Sequence, residues 1–321
     1  MKLLVTGCAG FIGVNFTNYW LDNHAEDTVV GVDCLTYAAN LPALAGLKKR
    51  DGFCFYQTNI CDRSSMEGIF QSEAPDIVVN FAAESHVDRS IEGSRIFIET
   101  NVLGTQTLLD LCLQYGVRRF HQVSTDEVYG DLPLNSEEAF TESSPLKPSS
   151  PYSASKAAAD LLALSYCRTH GLSVSISRSA NNYGKYQHVE KLIPKVVEYA
   201  LKGQRVPIYG DGRNVRDWIY VDDHCRAIDA IIRSAPSGGV YNVGSGVMLP
   251  NVVLVKEILK QLGKDEDCIE FVLDRKGHDK KYALNCHKIE AELGWKPQTD
   301  FASGLKETIA WYKNGSVTVL D

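Results

Sequence analysis

This sequence predicts an α/β fold: a Rossmann-like, doubly wound parallel sheet with a smaller C-terminal substrate-binding lobe. Three features carry that expectation. Short apolar runs alternate with amphipathic stretches through the first half of the chain. Gly7, Gly10 and Gly13, spaced G-x-x-G-x-x-G, follow the first apolar run and open the next amphipathic stretch. Asp33 closes the second apolar run, about twenty residues beyond Gly13, where a dinucleotide fold keeps an acid for a ribose.

Taken in order, Lys2–Thr6, Thr28–Asp33, Phe53–Gln57, Ile77–Asn80, 120–123 and 174–177 have the short apolar pattern of buried strands. Helical periodicity fills 11–21, 65–71, 96–115 and 151–169 between them. Such alternation marks a parallel sheet covered on both faces, with right-handed crossovers. The stretch 131–150 carries Pro133, Pro145 and Pro148 among serines and acidic residues, with no apolar period. It reads as a surface loop and a candidate lid. Beyond about Ser179 the alternation loosens, and helical segments at 189–201 and 255–262 mix with turns such as Gly210-Asp211-Gly212. The expected division is a dinucleotide-binding domain over 1–178, to which segments after about 215 can return, and a smaller lobe over 179–321. That lobe would cover the carboxyl ends of the strands, where an open α/β sheet has its ligand crevice.

Composition narrows the function classes. With 321 residues, 44% of them hydrophobic, the chain can bury a sizeable core in two lobes. A net charge of −7, with no basic run denser than Lys48-Lys49-Arg50, argues against a nucleic-acid partner. The nine cysteines form no Cys-x-x-Cys pair and none lies near a His at zinc-ligand spacing. They read as reduced thiols of a cytoplasmic protein, with no metal site. The apolar start at residues 1–7 is too short for a signal peptide, and no run approaches the ~18 residues of a membrane span.

The glycine spacing serves a tight turn, close approach of backbone to a pyrophosphate, and close helix–strand packing. Glycines alone mark many turns; the flanking strand, the helix and Asp33 give them weight. A carboxylate at Asp33 accepts from an adenine-ribose diol and repels a 2′-phosphate, so NAD is expected rather than NADP. Tyr152 and Lys156 share one helix face behind Ser149-Ser150-Pro151. About one Tyr-x-x-x-Lys arises by chance in a chain of this composition, so position matters more than pattern. The pair follows the strand that ends in Ser124-Thr125-Asp126-Glu127. There Lys156 would favour the Tyr152 phenolate by its charge, making Tyr152 a base. Adjacent Asp126 and Glu127 at a crevice mouth suit separate acid and base roles if their surroundings push their pKa values apart. As residues alone they equally fit a solvated acidic turn.

Together these segments resemble the dTDP-glucose 4,6-dehydratases, a family of extended short-chain dehydrogenases/reductases. The resemblance runs nearly end to end. It includes Thr6-Gly7-Cys8-Ala9-Gly10-Phe11-Ile12-Gly13, Ala82-Ala83-Glu84-Ser85-His86-Val87-Asp88-Arg89-Ser90 and Ser150-Pro151-Tyr152-Ser153-Ala154-Ser155-Lys156. Later come Asn181-Asn182-Tyr183-Gly184, Arg216-Asp217-Trp218-Ile219-Tyr220-Val221 and Asp274-Arg275-Lys276-Gly277-His278-Asp279. The Tyr/Lys pair belongs to the whole superfamily, whereas Asp126-Glu127 separates dehydratases from sugar-nucleotide 4-epimerases.

The resemblance implies a lyase of deoxysugar biosynthesis, working by C4 oxidation, loss of water across C5 and C6, and hydride return to C6. Thr125, Asp126, Glu127, Tyr152 and Lys156 would be catalytic. Beside the glycines and the Tyr/Lys pair, it places Phe11, Ile12, Asp33, Leu35, Thr36, Asn59, Ile60, Ala82, Ala83, Ser85, Thr100 and Asn182 at NAD. Ser85, Thr125, Asn181, Lys191, Leu192, Pro207, Tyr209, Arg216, Asn251, Arg275 and His278 would face the nucleotide sugar. A homodimer through helices at 101–115 and 152–169 is also implied. Asn59 departs from a usual Asp, Asn285 from another, and Lys185 and Lys276 from usual prolines, which bears on the nucleotide base. A 4-epimerase, a 4,6-dehydratase of UDP-glucose and a non-catalytic dinucleotide sensor are the rivals; the sensor would need neither Tyr152, Lys156 nor the acid pair.

Overall fold

The computed structural model describes residues 1–315. Its strands in chain order are β1 Lys2–Thr6, β2 Thr28–Asp33, β3 Phe53–Gln57, β4 Ile77–Asn80, β5 Arg119–Thr125, β6 Val174–Ser179, β7 Asn181–Tyr183, β8 Val206–Tyr209, β9 Val215–Tyr220, β10 Gly239–Val243, β11 Met248–Pro250 and β12 Ile269–Val272. Seven of them form one sheet in the order β10-β6-β5-β4-β1-β2-β3, every pair parallel. The order reverses between β1 and β4, so a crevice opens at their carboxyl ends.

Successive residues of a strand face opposite sides, and both sides are covered. Leu4, Val30, Val78 and Phe120 pack on Met66, Phe70, Leu108 and Leu111 from the helices Arg63–Glu73 and Thr105–Gln114. Leu3, Val5, Val29 and Val79 pack on Phe16 and Trp20 of Phe11–Asn23, and on Cys225, Ile228 and Ile232 of Val221–Ser234. The smaller lobe pairs β9 with β7 and β11, and β8 with β12. Its core joins Ile193, Val196, Leu254, Ile258, Leu305 and Ile309.

Three features of the structure bear on the expected elements. The helix expected over 96–115 is broken: Ile98–Gly104 is a π-helical stretch between Arg95–Phe97 and Thr105–Gln114. The wide turn carries the buried Asn101, whose amide oxygen accepts from Glu84 N and whose nitrogen donates to Glu84 O and Ser155 Oγ. The seventh strand, β10, and the helix before it come from beyond residue 215 and complete the large sheet and its cover. The stretch 131–150 is a pinned strap. Phe140 N donates to Ala283 O, Asn285 N donates to Phe140 O, and the Phe140 ring stacks on Tyr129 at 5.0 Å.

The helix Pro151–His170 starts on a capping box between Ser150 and Ser153, has proline in its first turn and ends on Gly171 at φ 71°. Its buried face holds an ion pair: Arg178 Nε of β6 lies 2.9 Å from Asp160 Oδ2, both side chains almost wholly out of solvent. Arg178 Nη1 also donates to Tyr129 Oη at 2.9 Å, and Tyr129 Oη donates to Asn242 Oδ1 at 2.7 Å. Removing one member of a buried pair strands the other charge. Asp160→Ala should therefore cost roughly 3–5 kcal/mol in urea unfolding, and Asp160→Asn less. A loss below about 1 kcal/mol for the alanine variant would remove this pair as the anchor of the helix.

Candidate active site

The crevice at the switch point is a cavity of about 330 Å³ running from the glycine loop to the ends of β5 and β6. At one end Gly7, at φ +70°, packs so closely that a Cβ would stand 2.7 Å from Ala82 N. A Cβ on Gly13 would collide with the Gly7 carbonyl oxygen. No side chain caps the helix that starts at Phe11, and its first turn holds no acid. Its uncapped N–H groups make a cradle for a pyrophosphate. Asp33 ends β2 with Oδ2 accepting from Ala9 N at 3.0 Å and Oδ1 from Leu35 N at 2.8 Å. Burial pushes its pKa upward against the pull of those two amides. Each carboxylate oxygen keeps acceptor capacity for a diol. These residues fit a dinucleotide. Of the positions expected at it, all line the cavity except Leu35, whose backbone, at φ 56°, acts through Asp33. Asn59 lines the wall, but its Oδ1 already accepts from Cys61 N at 2.9 Å.

At the other end β5 delivers Thr125 and runs into a tight 3-10 turn, Asp126–Tyr129. Thr125 Oγ1 caps that turn, accepting from Glu127 N at 3.3 Å and donating to Asp126 Oδ1 at 3.3 Å. The turn is not solvated: Asp126 is 2% exposed and Thr125 9%. The two carboxyls have different surroundings. Burial, then Glu127, then Asp217 hold the Asp126 pKa well above the carboxylate range. Burial also raises Glu127, but Arg275, Arg216 and Lys191 all pull it back. Asp126 is accordingly the proton-bearing acid and Glu127 the more ionised of the pair.

Tyr152 and Lys156 stand one turn apart on the buried face of Pro151–His170. Burial, Glu127 and Asp126 all raise the Tyr152 phenol, and a hydrogen bond with Thr125 opposes them. Lys156 does not lower it here: Lys156 Nζ donates to Val123 O at 2.6 Å. Burial lowers the ammonium pKa to about 8, with Asp160 acting against it. The lysine is thus poised to change charge near neutrality, while the phenol is a proton carrier rather than a standing phenolate.

Of the positions expected at the sugar nucleotide, Ser85, Thr125, Asn181 and Lys191 line the cavity. Lys191 Nζ donates to Ser85 O at 3.0 Å, closing the small lobe onto the large one. Leu192, Pro207, Tyr209, Arg216, Asn251, Arg275 and His278 stand outside that lining. Arg216 is buried, donates to the carbonyls of Val215 and Asp279, and lies 4.2 Å from the Tyr282 ring centroid. Sequence reasoning missed the supports behind the site: Asp160 and Arg178, Asn101, Asp217, and His224, whose Nδ1 lies 2.9 Å from Asn182 Oδ1. None of them lines the crevice: Asn101 holds Glu84, His224 meets Asn182, and Asp217 bears on Asp126 by its charge, while only Asp217 falls inside one of the matched segments.

Comparison with known proteins agrees with this geometry. The family described as GDP-mannose 4,6 dehydratase matches residues 4–308. The low-salt glycan biosynthesis protein Agl12 of Haloferax volcanii is 50% identical, with 97% of this chain and 98% of the relative covered. The dTDP-glucose 4,6-dehydratase of Haemophilus influenzae is 47% identical, with 97% and 98% covered. The crystal structure of DesIV, the dTDP-glucose 4,6-dehydratase of Streptomyces venezuelae, with NAD and TYD bound, superposes with a TM-score of 0.96 at 47% identity, with 100% of both chains covered.

The buried Asp126 has a consequence for stability. Its pKa is raised in the folded state, so the native protein keeps a proton that the unfolded chain loses near about pH 3.9. Stability from this group is fully present below that pH and is lost as pH rises through the folded value. Asp126→Asn imitates the protonated acid. It should raise Tm at pH 7 by a few degrees, on the scale of ~1 kcal/mol, and the gain should vanish near pH 4. A variant equally or less stable at pH 7 would contradict the burial argument.

Proposed function

The chain belongs to the GDP-mannose 4,6 dehydratase family, and from that membership we infer an NAD-dependent hydro-lyase converting dTDP-glucose to dTDP-4-keto-6-deoxyglucose. The Haemophilus influenzae relative and the DesIV structure support the dTDP sugar over other nucleotide sugars. The observation that carries the dehydration is the pair of adjacent buried acids with unlike surroundings: Glu127 and Asp217 raise Asp126 against Arg216, whereas Arg275, Arg216 and Lys191 pull Glu127 back against Asp279. A 4-epimerase has no use for that contrast.

The residues divide the work as follows. Gly7, Gly10 and Gly13 leave room for the pyrophosphate, and Asp33 takes the adenine ribose. When bound, NAD supplies a hydride acceptor and donor, so the sugar is oxidised at C4 and reduced at C6. Tyr152 takes the proton of the C4 hydroxyl as its own phenolic proton passes to the neutral amine of Lys156, with Thr125 holding the same oxygen. The C4 ketone acidifies C5. Glu127 removes the C5 proton, and Asp126 protonates the departing C6 hydroxyl, which leaves as water. Glu127 then returns a proton to C5. Proton-transfer groups of this kind each contribute about 10²–10⁴ in rate. Arg216, Arg275 and Lys191 are the cations suited to the diphosphate.

We assign 1–178, with β10 and the helix before it, to NAD binding, and the rest of 179–321 to the sugar nucleotide. A homodimer through the helices at 101–115 and 152–169 is supported by the apolar face they leave open, where Leu103 is 49% and Leu161 58% exposed. Nine unpaired cysteines favour the cytoplasm. Among the described residues no helix is long and apolar enough to cross a membrane.

Two outcomes are expected. Because the hydride is returned within each turnover, the purified protein should release NAD, not NADP, on denaturation, in near-stoichiometric amount by chromatography. Mainly NADP would overturn the role given to Asp33. In deuterium oxide, dTDP-glucose should yield a 4-keto-6-deoxy product with solvent deuterium at C5 by mass spectrometry. Glu127→Gln should still oxidise C4 but lose dehydration by at least about 10²-fold. A deuterium-free C5, or full activity in Glu127→Gln, would remove the acid pair from the reaction.

A further inference from the structure

Asp88 is the one large-lobe carboxylate that the foregoing reaction does not use and that meets the small lobe's diphosphate-binding candidates. It sits in the first turn of the short helix Val87–Glu92. From the small lobe Tyr209 Oη donates to Asp88 Oδ2 at 3.1 Å, and Arg275 Nη1 stands 3.7 Å from Oδ1. The contact is electrostatically unfinished. Asp88 Oδ1 and Arg275 Nε are both buried, and neither has a hydrogen-bond partner. A guanidinium is best satisfied by two parallel acceptors, which a phosphate offers and this loose carboxylate does not.

We propose that Asp88 is a built-in stand-in for the substrate's diphosphate. It holds Arg275 and Tyr209 of the small lobe until the phosphates of the sugar nucleotide take them. The carboxylate shares Arg275 with Glu127, and it is close enough to compete with an incoming anion. The result is a threshold: a ligand must bring more negative charge than one carboxylate to open the contact. Phosphate-bearing ligands are thereby favoured over neutral sugars and over ligands with a single carboxylate. This inference rests on the diphosphate position given under the proposed function.

The test is calorimetric titration of the NAD-loaded wild type, Asp88→Asn and Asp88→Glu with inorganic pyrophosphate and with dTDP. Asp88→Asn removes the competing charge and should tighten both ligands about fivefold, the upper worth of a half-exposed ion pair, with NAD content unchanged. Asp88→Glu keeps the competitor and should stay within about twofold of wild type. Unchanged or weaker pyrophosphate binding in Asp88→Asn overturns the proposal. So does an equal gain in Asp88→Glu, which would point to shape rather than charge. If pyrophosphate tightens in Asp88→Asn while dTDP binds none of the three proteins, the nucleotide assignment fails and the role of Asp88 stands.

Discussion

The buried pair Asp160–Arg178 is the contact on which the geometry of the catalytic end depends. It joins the helix that carries Tyr152 and Lys156 to β6. Through Tyr129 it reaches the turn that carries Asp126 and Glu127. Through Asn242 it reaches β10 and the strap at Phe140, whose carbonyl accepts from Asn242 Nδ2 at 2.8 Å. A charge pair in an interior contributes little net stability, because desolvation consumes most of the attraction. Its value here is in orientation: the fork of Arg178 accepts few arrangements of Asp160 and Tyr129, so five segments are set in one relation.

On that frame the site concentrates charge at a cost in stability. Asp126, Glu127, Lys156 and Lys191 are all held away from their ordinary pKa values, and burial is the leading cause for each. Such clustering of perturbed groups in one crevice is what the proposed acid–base chemistry requires. The neutral histidines behind it fit the same picture. His121 lies between Ser175 Oγ and Ser177 Oγ, and burial lowers its pKa to about 3, so it adds no charge to the strands that carry the site.

Much of this was legible in the sequence because local rules and tertiary context agree there. The first four strands end where the apolar runs end, and the capping box at Ser150 sits where the Ser-Pro signal places it. The glycine loop and the acid pair were legible as motifs. What the residues could not show was surroundings: whether Asp126 faced water or Asp217, and whether Lys156 reached Tyr152 or the Val123 carbonyl. The π-helical stretch was hidden because seven residues of wider winding barely alter an apolar period. The anchoring of 131–150 was hidden because its partners at 281–285 lie so far along the chain, and backbone hydrogen bonds leave no composition signal.

That wide turn also fixes a phase. Upstream, Ile96 lines the crevice and Ile98 is 45% exposed, while downstream Leu108, Leu109 and Leu111 are fully buried against the sheet. Each residue of an α-helix advances about 100° around the axis. Deleting one residue between Ile98 and Gly104 would restore ordinary winding and swing one half against the other by roughly that angle. Either Asn101 would leave Glu84 and Ser155, or the leucines would leave the sheet. Chain length through this stretch is therefore under tighter constraint than the identity of its exposed side chains, and length variation among relatives should avoid it.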